Sequence, residues 1–307
     1  GYEITSTKSS LSQDGYSQIE QTNTFSGDGG LHEVYAGIGW APIKPLSLGV
    51  NLGYLWGDIE HKSVMNVSGT TNSSTPSTRQ TYSADIRTYK VDFGLQYEQR
   101  INSKNKLTLG ATYGLGHDVN RSAAFYNQRI QSSTVISGDT LNCRNAFQLP
   151  HTFGVGLTWA HNNSLRVGAD YTFQKWSNVK FPDVVTPDEY ATQKGFFADM
   201  HKVSLGAEYI PNPEGMRWRQ RVRYRAGLSY ATSYAKINGN DGPHDFLAAL
   251  GVALPIMNAY NSRSLINFSV QYEHVKPKTA GMITENYIRF SIGLTFNERW
   301  FMKWKVD

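Results

Sequence analysis

The feature that most constrains this chain is alternation: apolar residues recur at every second position in segment after segment, which places them on one face of an extended strand. Leu46, Leu48, Val50, Leu52, Tyr54 and Trp56 form an unbroken apolar set, with Ser47, Gly49, Asn51 and Gly53 between them. The same pattern runs through 107–115, 153–159, 165–173, 203–209, 222–230, 246–254, 266–272 and 288–296. In 165–173 the intervening residues include Arg166, Asp170 and Thr172. One face of that strand therefore needs water, and the other needs an apolar surrounding.

A soluble sandwich also alternates, so the connections must decide between architectures. The breaks at 41–45, 101–105, 160–164, 211–217 and 255–261 are short, whereas those near 59–80, 116–141, 178–200, 232–243 and 275–284 are long and polar. Short and long connections alternate strictly, as an up-and-down barrel with tight turns at one end requires and a Greek-key sandwich does not. The expectation is an all-β, antiparallel, up-and-down transmembrane β-barrel of about twelve strands. It forms one domain over 1–307, with both chain ends on the periplasmic side. Composition agrees. Aromatics make up 13% of the 307 residues, including 18 Tyr and 7 Trp, as interfacial girdles demand. Mean hydropathy is −0.45 and no run of 18 apolar residues occurs, which excludes a helical span but leaves a barrel intact, since its strands alternate.

Other function classes find little support. The net charge of +5 is spread without a dense Lys/Arg block, so nucleic acid is not an expected partner, whereas lipopolysaccharide phosphates are compatible. Cys143 is the sole cysteine and reads as incidental. The eight His show no helical metal spacing and no Gly-x-Ser-x-Gly elbow is present, so neither an enzyme, a metal nor another cofactor is expected. Gly1 opens directly into a strand without a signal-like segment, as a mature terminus or a cut chain would.

Two places depart from clean alternation. Apolar parity changes from Tyr82, Ala84 and Ile86 to Tyr89, Val91, Phe93 and Leu95, which predicts a bulge near Arg87–Tyr89. Ser26-Gly27-Asp28-Gly29-Gly30-Leu31 interrupts a long strand running from about Tyr16 to Trp40, where clustered Gly permits a bend or lost pairing.

The stretch Leu149-Pro150-His151-Thr152-Phe153-Gly154-Val155-Gly156-Leu157, followed by Asp170-Tyr171-Thr172-Phe173-Gln174-Lys175-Trp176-Ser177, resembles the FadL/TodX family of outer-membrane transport proteins. Ser26–Leu31 together with 46–57 is similar to the version found in Bacteroidetes. The resemblance implies a 14-stranded barrel with an amino-terminal hatch bearing an Asn-Pro-Ala motif. Neither hatch nor motif is present in this sequence, so this chain is expected to hold about twelve of fourteen strands. It further implies uptake of hydrophobic small molecules such as long-chain fatty acids, with lateral release through a break in the wall. Gly27, Gly29 and Gly30 are candidates for that break, against an ordinary bulge or turn. FadL-like barrels also resemble structural subunits of larger secretion or barrel-assembly complexes, which is the alternative function.

Candidate site residues follow. Phe181, Phe196, Phe197 and Met200 form an apolar group in a polar loop, suited to a ligand groove or to self-packing. Arg221, Arg223 and Arg225 share the polar face of one strand and are expected to pair with acids such as Asp170, Glu208 or Asp92. Arg223 is the candidate for a ligand carboxylate. Trp300, Phe301 and Trp304, in a basic aromatic tail, are expected to anchor at the membrane interface or to dock a partner subunit.

Overall fold

The computed structural model describes residues 1–11, 18–68, 75–237, 239–256, 264–279 and 282–295. The tail residues Trp300, Phe301 and Trp304 lie outside the described residues, as does most of the 255–261 break. Twelve strands form an antiparallel meander in which sequence neighbours are spatial neighbours: β1 (Tyr2–Leu11), β2 (Gln18–Ile43), β3 (Leu46–Ser68), β4 (Ser77–Arg100), β5 (Asn105–Gly114), β6 (Thr152–His161), β7 (Leu165–Gln174), β8 (Met200–Tyr209), β9 (Arg223–Thr232), β10 (His244–Ile256), β11 (Ser264–Lys276) and β12 (Glu285–Thr295). This is the up-and-down barrel architecture that alternation predicts. β5 to β9 have ten residues each, the length a tilted strand needs to cross a bilayer, roughly 9–11.

From β5 to β12 the apolar set of each strand lies on one face. Cross-strand partners such as Leu157 and Leu109, Leu205 and Leu228, or Val270 and Phe290 belong to that set. Those side chains are not in a core: Leu250 is 63% exposed and Phe290 80%. A soluble protein would hide such a surface, whereas lipid satisfies it. The opposite face carries Arg166, Asp170, Glu208 and Arg225 and lines the lumen.

The buried core lies elsewhere, at the end of the long connections. β2, β3 and β4 run on for 26, 23 and 24 residues. Their outer halves join β1 and a hairpin (Ala123–Gln131 with Thr134–Cys143) that pairs with β4, so that part of the expected 59–80 and 116–141 connections is strand. A second hairpin, Phe181–Thr186 with Glu189–Gln193, contributes Val184 and Tyr190 to the cluster of Ala123, Phe125, Cys143 and Ala146, on which Tyr82 and Phe147 pack. Val119 is buried against Ala84 and Ile86.

This core corrects the predicted bulge. β3 and β4 stay in one uninterrupted register from Met65–Thr78 to Leu46–Tyr97, straight through Arg87–Tyr89. The parity changes because the buried face changes: below, Tyr89, Val91 and Phe93 face outward, while above, Ala84 and Ile86 face the external core. Pairing likewise persists through Gly27–Gly30, each of which has a partner in β3. What the glycines permit is a close approach. Gly29 has φ +105° and a Cβ there would meet the Asp58 carbonyl oxygen at 2.0 Å; Gly57, at φ +152°, would meet the Gly30 carbonyl at the same distance.

The placement of β1 differs from expectation. β12 finishes at the short-connection end, but β1 starts opposite Gly27, part-way up β2. Below that point, among the described residues, β2 pairs only with β3, and β12 only with β11.

Candidate functional site

At the long-connection end, three segments converge. The Trp176 ring stacks on Tyr234 at 4.5 Å and meets Phe197 at 5.4 Å; Phe181 stands edge-on to Phe197 at 5.6 Å and contacts Phe196 at 5.9 Å and Phe147 at 6.3 Å. Backbone bonds hold the segments together: Ala198 N–H donates to Tyr234 O at 2.8 Å, and Lys236 N–H to Phe196 O at 3.3 Å. Trp176 Nε1–H donates to Gln174 Oε1 at 2.8 Å, fixing the indole, and Ser177 N–H donates to Asp199 Oδ1 at 2.8 Å. The result is a half-exposed aromatic patch in which Phe181 is 41% exposed. Offset and edge-on rings at these separations add stability beyond burial, so the patch keeps its shape.

Of the sequence candidates, Phe181, Phe196 and Phe197 come together here, and Met200 opens β8 opposite Gln174. Arg223 does not join them. It sits at the short-connection end of β9, opposite Ala253, about 30 Å along the strand from Thr232 at roughly 3.3 Å per residue. Trp176 and Tyr234 are additions. Trp176 stands in the Trp-Ser motif of the family resemblance, whereas Tyr234, a lone aromatic in the polar 232–243 connection, carries no sequence signal.

Beneath the patch the lumen is polar. Arg225 donates to Glu208 Oε2 at 2.8 Å and to Asn267 Oδ1 at 3.1 Å, and Arg166 lies 3.8 Å from the other Glu208 oxygen. Glu208 is thus the acid that the Arg row meets, one of the three expected. A polar cleft of about 390 Å³ lies nearby, lined by Gln96, Lys106, Thr108, Thr158, Arg166 and Asp170. A larger apolar depression, about 720 Å³, lies on the lipid-facing side among Tyr224, Leu250, Phe268 and Phe290, where acyl chains would fill it. Among the described residues no cluster of three or more His, Cys, Asp or Glu is arranged to hold a metal.

In the external core, burial pushes the Tyr190 phenol and, to a lesser degree, Tyr82 and the Cys143 thiol above their ordinary values. On the rim, the Lys278 ammonium, 2.9 Å from Asp241, holds that carboxyl below its usual range.

The whole length, residues 1–307, matches the protein family described as BamG. No curated protein sequence matches. Among solved structures the chain is similar to the CymD monoaromatic hydrocarbon channel, with TM-score 0.56 and 16% identity over 94% of this chain and 85% of that one. It is similar to a Pseudomonas aeruginosa FadL homologue, with TM-score 0.57 and 10% identity over 89% and 70%. The P. putida toluene transporter TodX follows, with TM-score 0.50 and 14% identity over 87% and 75%. These likenesses establish the FadL-type barrel fold.

Proposed function

The chain belongs to the BamG family along its whole length, and from the site's geometry we propose that it is an outer-membrane channel taking up hydrophobic small molecules, its long connections external and its C-terminal strand ending toward the periplasm. The observation that carries this reading is the aromatic patch of Trp176, Phe181, Phe197 and Tyr234 at the mouth of a polar lumen. An apolar, largely pre-formed surface with few polar groups is the usual form of a small-molecule site. The shared architecture with a toluene transporter and a monoaromatic hydrocarbon channel supports monoaromatics beside long-chain fatty acids as substrates. Lateral release fits the β2 edge: the Gly27–Gly30 segment lies where β1 pairing stops and a free edge begins. The test is equilibrium binding of toluene and of a long-chain fatty acid to the purified full-length protein. F181A/F197A should weaken binding of the true ligand about tenfold or more, the equivalent of roughly 1.4 kcal/mol. Equal affinity in variant and parent, or no binding of either ligand, overturns the reading.

Membership of the BamG family also supports a second reading, a structural subunit of a larger outer-membrane secretion or barrel-assembly complex. The specific observation in its favour is the external sheet of β1, the outer halves of β2–β4 and the 123–143 hairpin, a continuous paired surface beyond the spanning strands. The tail with Trp300, Phe301 and Trp304, outside the described residues, is the candidate docking segment. Gentle detergent extraction followed by size analysis separates the readings: stoichiometric large partners support the subunit, a lone barrel the channel. Deleting 299–307 should release such partners while the barrel stays folded.

A further inference from the structure

On the lipid-facing side, one device is repeated in four successive hairpins. In each, a Tyr on the strand rising toward the long connections reaches diagonally to a residue on the next, descending strand. That residue lies two positions before the Tyr's direct cross-strand partner. Tyr113 pairs with Phe153 and bonds His151 Nδ1 at 2.9 Å; Tyr171 pairs with Val203 and bonds His201 Nδ1 at 2.8 Å. Tyr230 pairs with Phe246 and bonds His244 Nδ1; Tyr272 pairs with Ile288 and donates to Asn286 Oδ1 at 2.8 Å. Aromatic residues at a membrane interface are ordinary, but a Tyr–His pair held in one fixed relation from β5 to β10 and closed by a Tyr–Asn pair at β12 is not what a general preference for aromatics produces.

The bonding fixes the chemistry. Gly116 N–H also donates to His151 Nδ1, at 3.2 Å, so that nitrogen is an acceptor and the proton sits on Nε2. At His151 this leaves Nε2–H to meet a ligand; at His201 and His244 a phenol that donates to Nδ1 in the same way leaves Nε2–H free for the same purpose, and among the described residues none of the three Nε2 atoms has a hydrogen-bond partner. The apolar-face positions of β5–β12 contain no Asp or Glu, and the charged residue there is Lys276, opposite His244. The rim therefore offers a row of N–H donors, repeating every two strands or about 10 Å, with Lys276 beside it; the acid that acts on His244, Asp241, is itself paired with Lys278 at 2.9 Å.

We infer that this Tyr–His row is a binding site for anionic, phosphate-bearing lipid headgroups of the surrounding leaflet. The inference rests on the reading of the chain as a membrane barrel. Each imidazole Nε2–H donates to a phosphate oxygen, the Tyr behind it holds the ring in place, and the acyl chains lie on the apolar face below, along Phe153, Val203 and Phe246.

The test uses the full-length protein in phosphatidylcholine vesicles with and without phosphatidic acid, with the lipids that co-purify quantified by mass spectrometry. Phosphatidic acid should be enriched around the parent protein, and H151L/H201L/H244L, which removes the donors, should lower that enrichment about tenfold, since three weak hydrogen bonds are lost together. Y113F/Y171F/Y230F, which keeps the imidazoles, should lower it less. Undiminished enrichment in the His variant overturns the inference, as does an equal or larger loss in the Phe variant. Displacement of the lipid by millimolar inorganic phosphate would overturn its lipid source. Insertion of each variant into pure phosphatidylcholine vesicles reports on the barrel itself, so failure of the membrane reading is seen separately.

Discussion

Cys143 gives the most direct residue-scale check on the external core. It is 4% exposed and its thiol is pushed up by burial, so both access and thiolate supply are suppressed. Maleimide labelling at pH 8 should be slow in the folded protein and fast in denaturant; rapid labelling of the folded state would show that the 123–143 hairpin does not pack as described. The same burial has a pH consequence. Tyr82, Cys143 and Tyr190 are raised, so the folded form holds its protons after the unfolded chain has begun to release them. Their contribution to stability is intact below the ordinary thiol and phenol values, about 8.5 and 10, and is lost as pH rises beyond them. Proteolysis of the external hairpins should accelerate in that alkaline range, and Y190F should flatten the profile. In the lumen, Glu208 lies between Arg225 and Arg166. E208Q should destabilise by about 1 kcal/mol, discounted for partial exposure of the Arg side chains, and R225Q added to it should cost less than the sum. Pairing of Arg225 with Glu208 was legible from the polar face of 222–230, whereas Arg221 lies before the strand and donates to the Gly215 carbonyl. The distance between Arg223 and the aromatic loop was not, because sequence alone gives each residue a face without its height on the barrel.

At the scale of strands, the Gly29–Gly57 crossing is the feature on which two long elements depend. Both glycines have positive φ, and each lacks room for a Cβ against the other strand's carbonyl. G29A or G57A should cost about 1–3 kcal/mol each, the range for backbone forced into sparsely populated conformations, whereas G94A, with nothing within 4 Å of its Cβ position, should be nearly neutral. Thermal unfolding of the reconstituted protein distinguishes the three, and equal melting temperatures would remove the argument for a strained crossing. The glycine cluster was readable in Ser26–Leu31, but its consequence was not. The sequence suggested a bend or lost pairing, while the strands keep every pair through this segment. The supposed bulge at Arg87–Tyr89 failed for a related reason. Parity reports which side of a strand is apolar, and it switches whenever the covering layer changes sides, here from lipid outside to the Phe125 and Val119 cores inside. The short strands that build that cover, such as Glu189–Gln193, are too brief to show a period.

At the scale of the whole molecule, the meander and the alternation of short and long connections were legible because each spanning strand repeats the same two-residue rule. Closure of the wall was not. Among the described residues, lower β2 and β12 each pair on one side only and run in the same direction, both descending. The assignment of faces, on which channel, lipid row and external core all depend, has a simple test at mid-height of β9. Leu228 is 60% exposed on the apolar face, while Ser229, its neighbour, bonds Ser204 across the lumen side at 3.2 Å. An arginine at the lipid-facing position must desolvate in hydrocarbon, at about 2–4 kcal/mol near the bilayer midplane, but one facing the lumen remains in water. L228R should therefore lose that much folding free energy in vesicles, and S229R less than about 1 kcal/mol. In a soluble sandwich, substitution at the residue facing the dry core would be the damaging one and no lipid dependence would appear. Equal costs for the two variants, or costs unchanged between vesicles of thick and thin bilayers, would reject the barrel as the frame in which every site here has been placed.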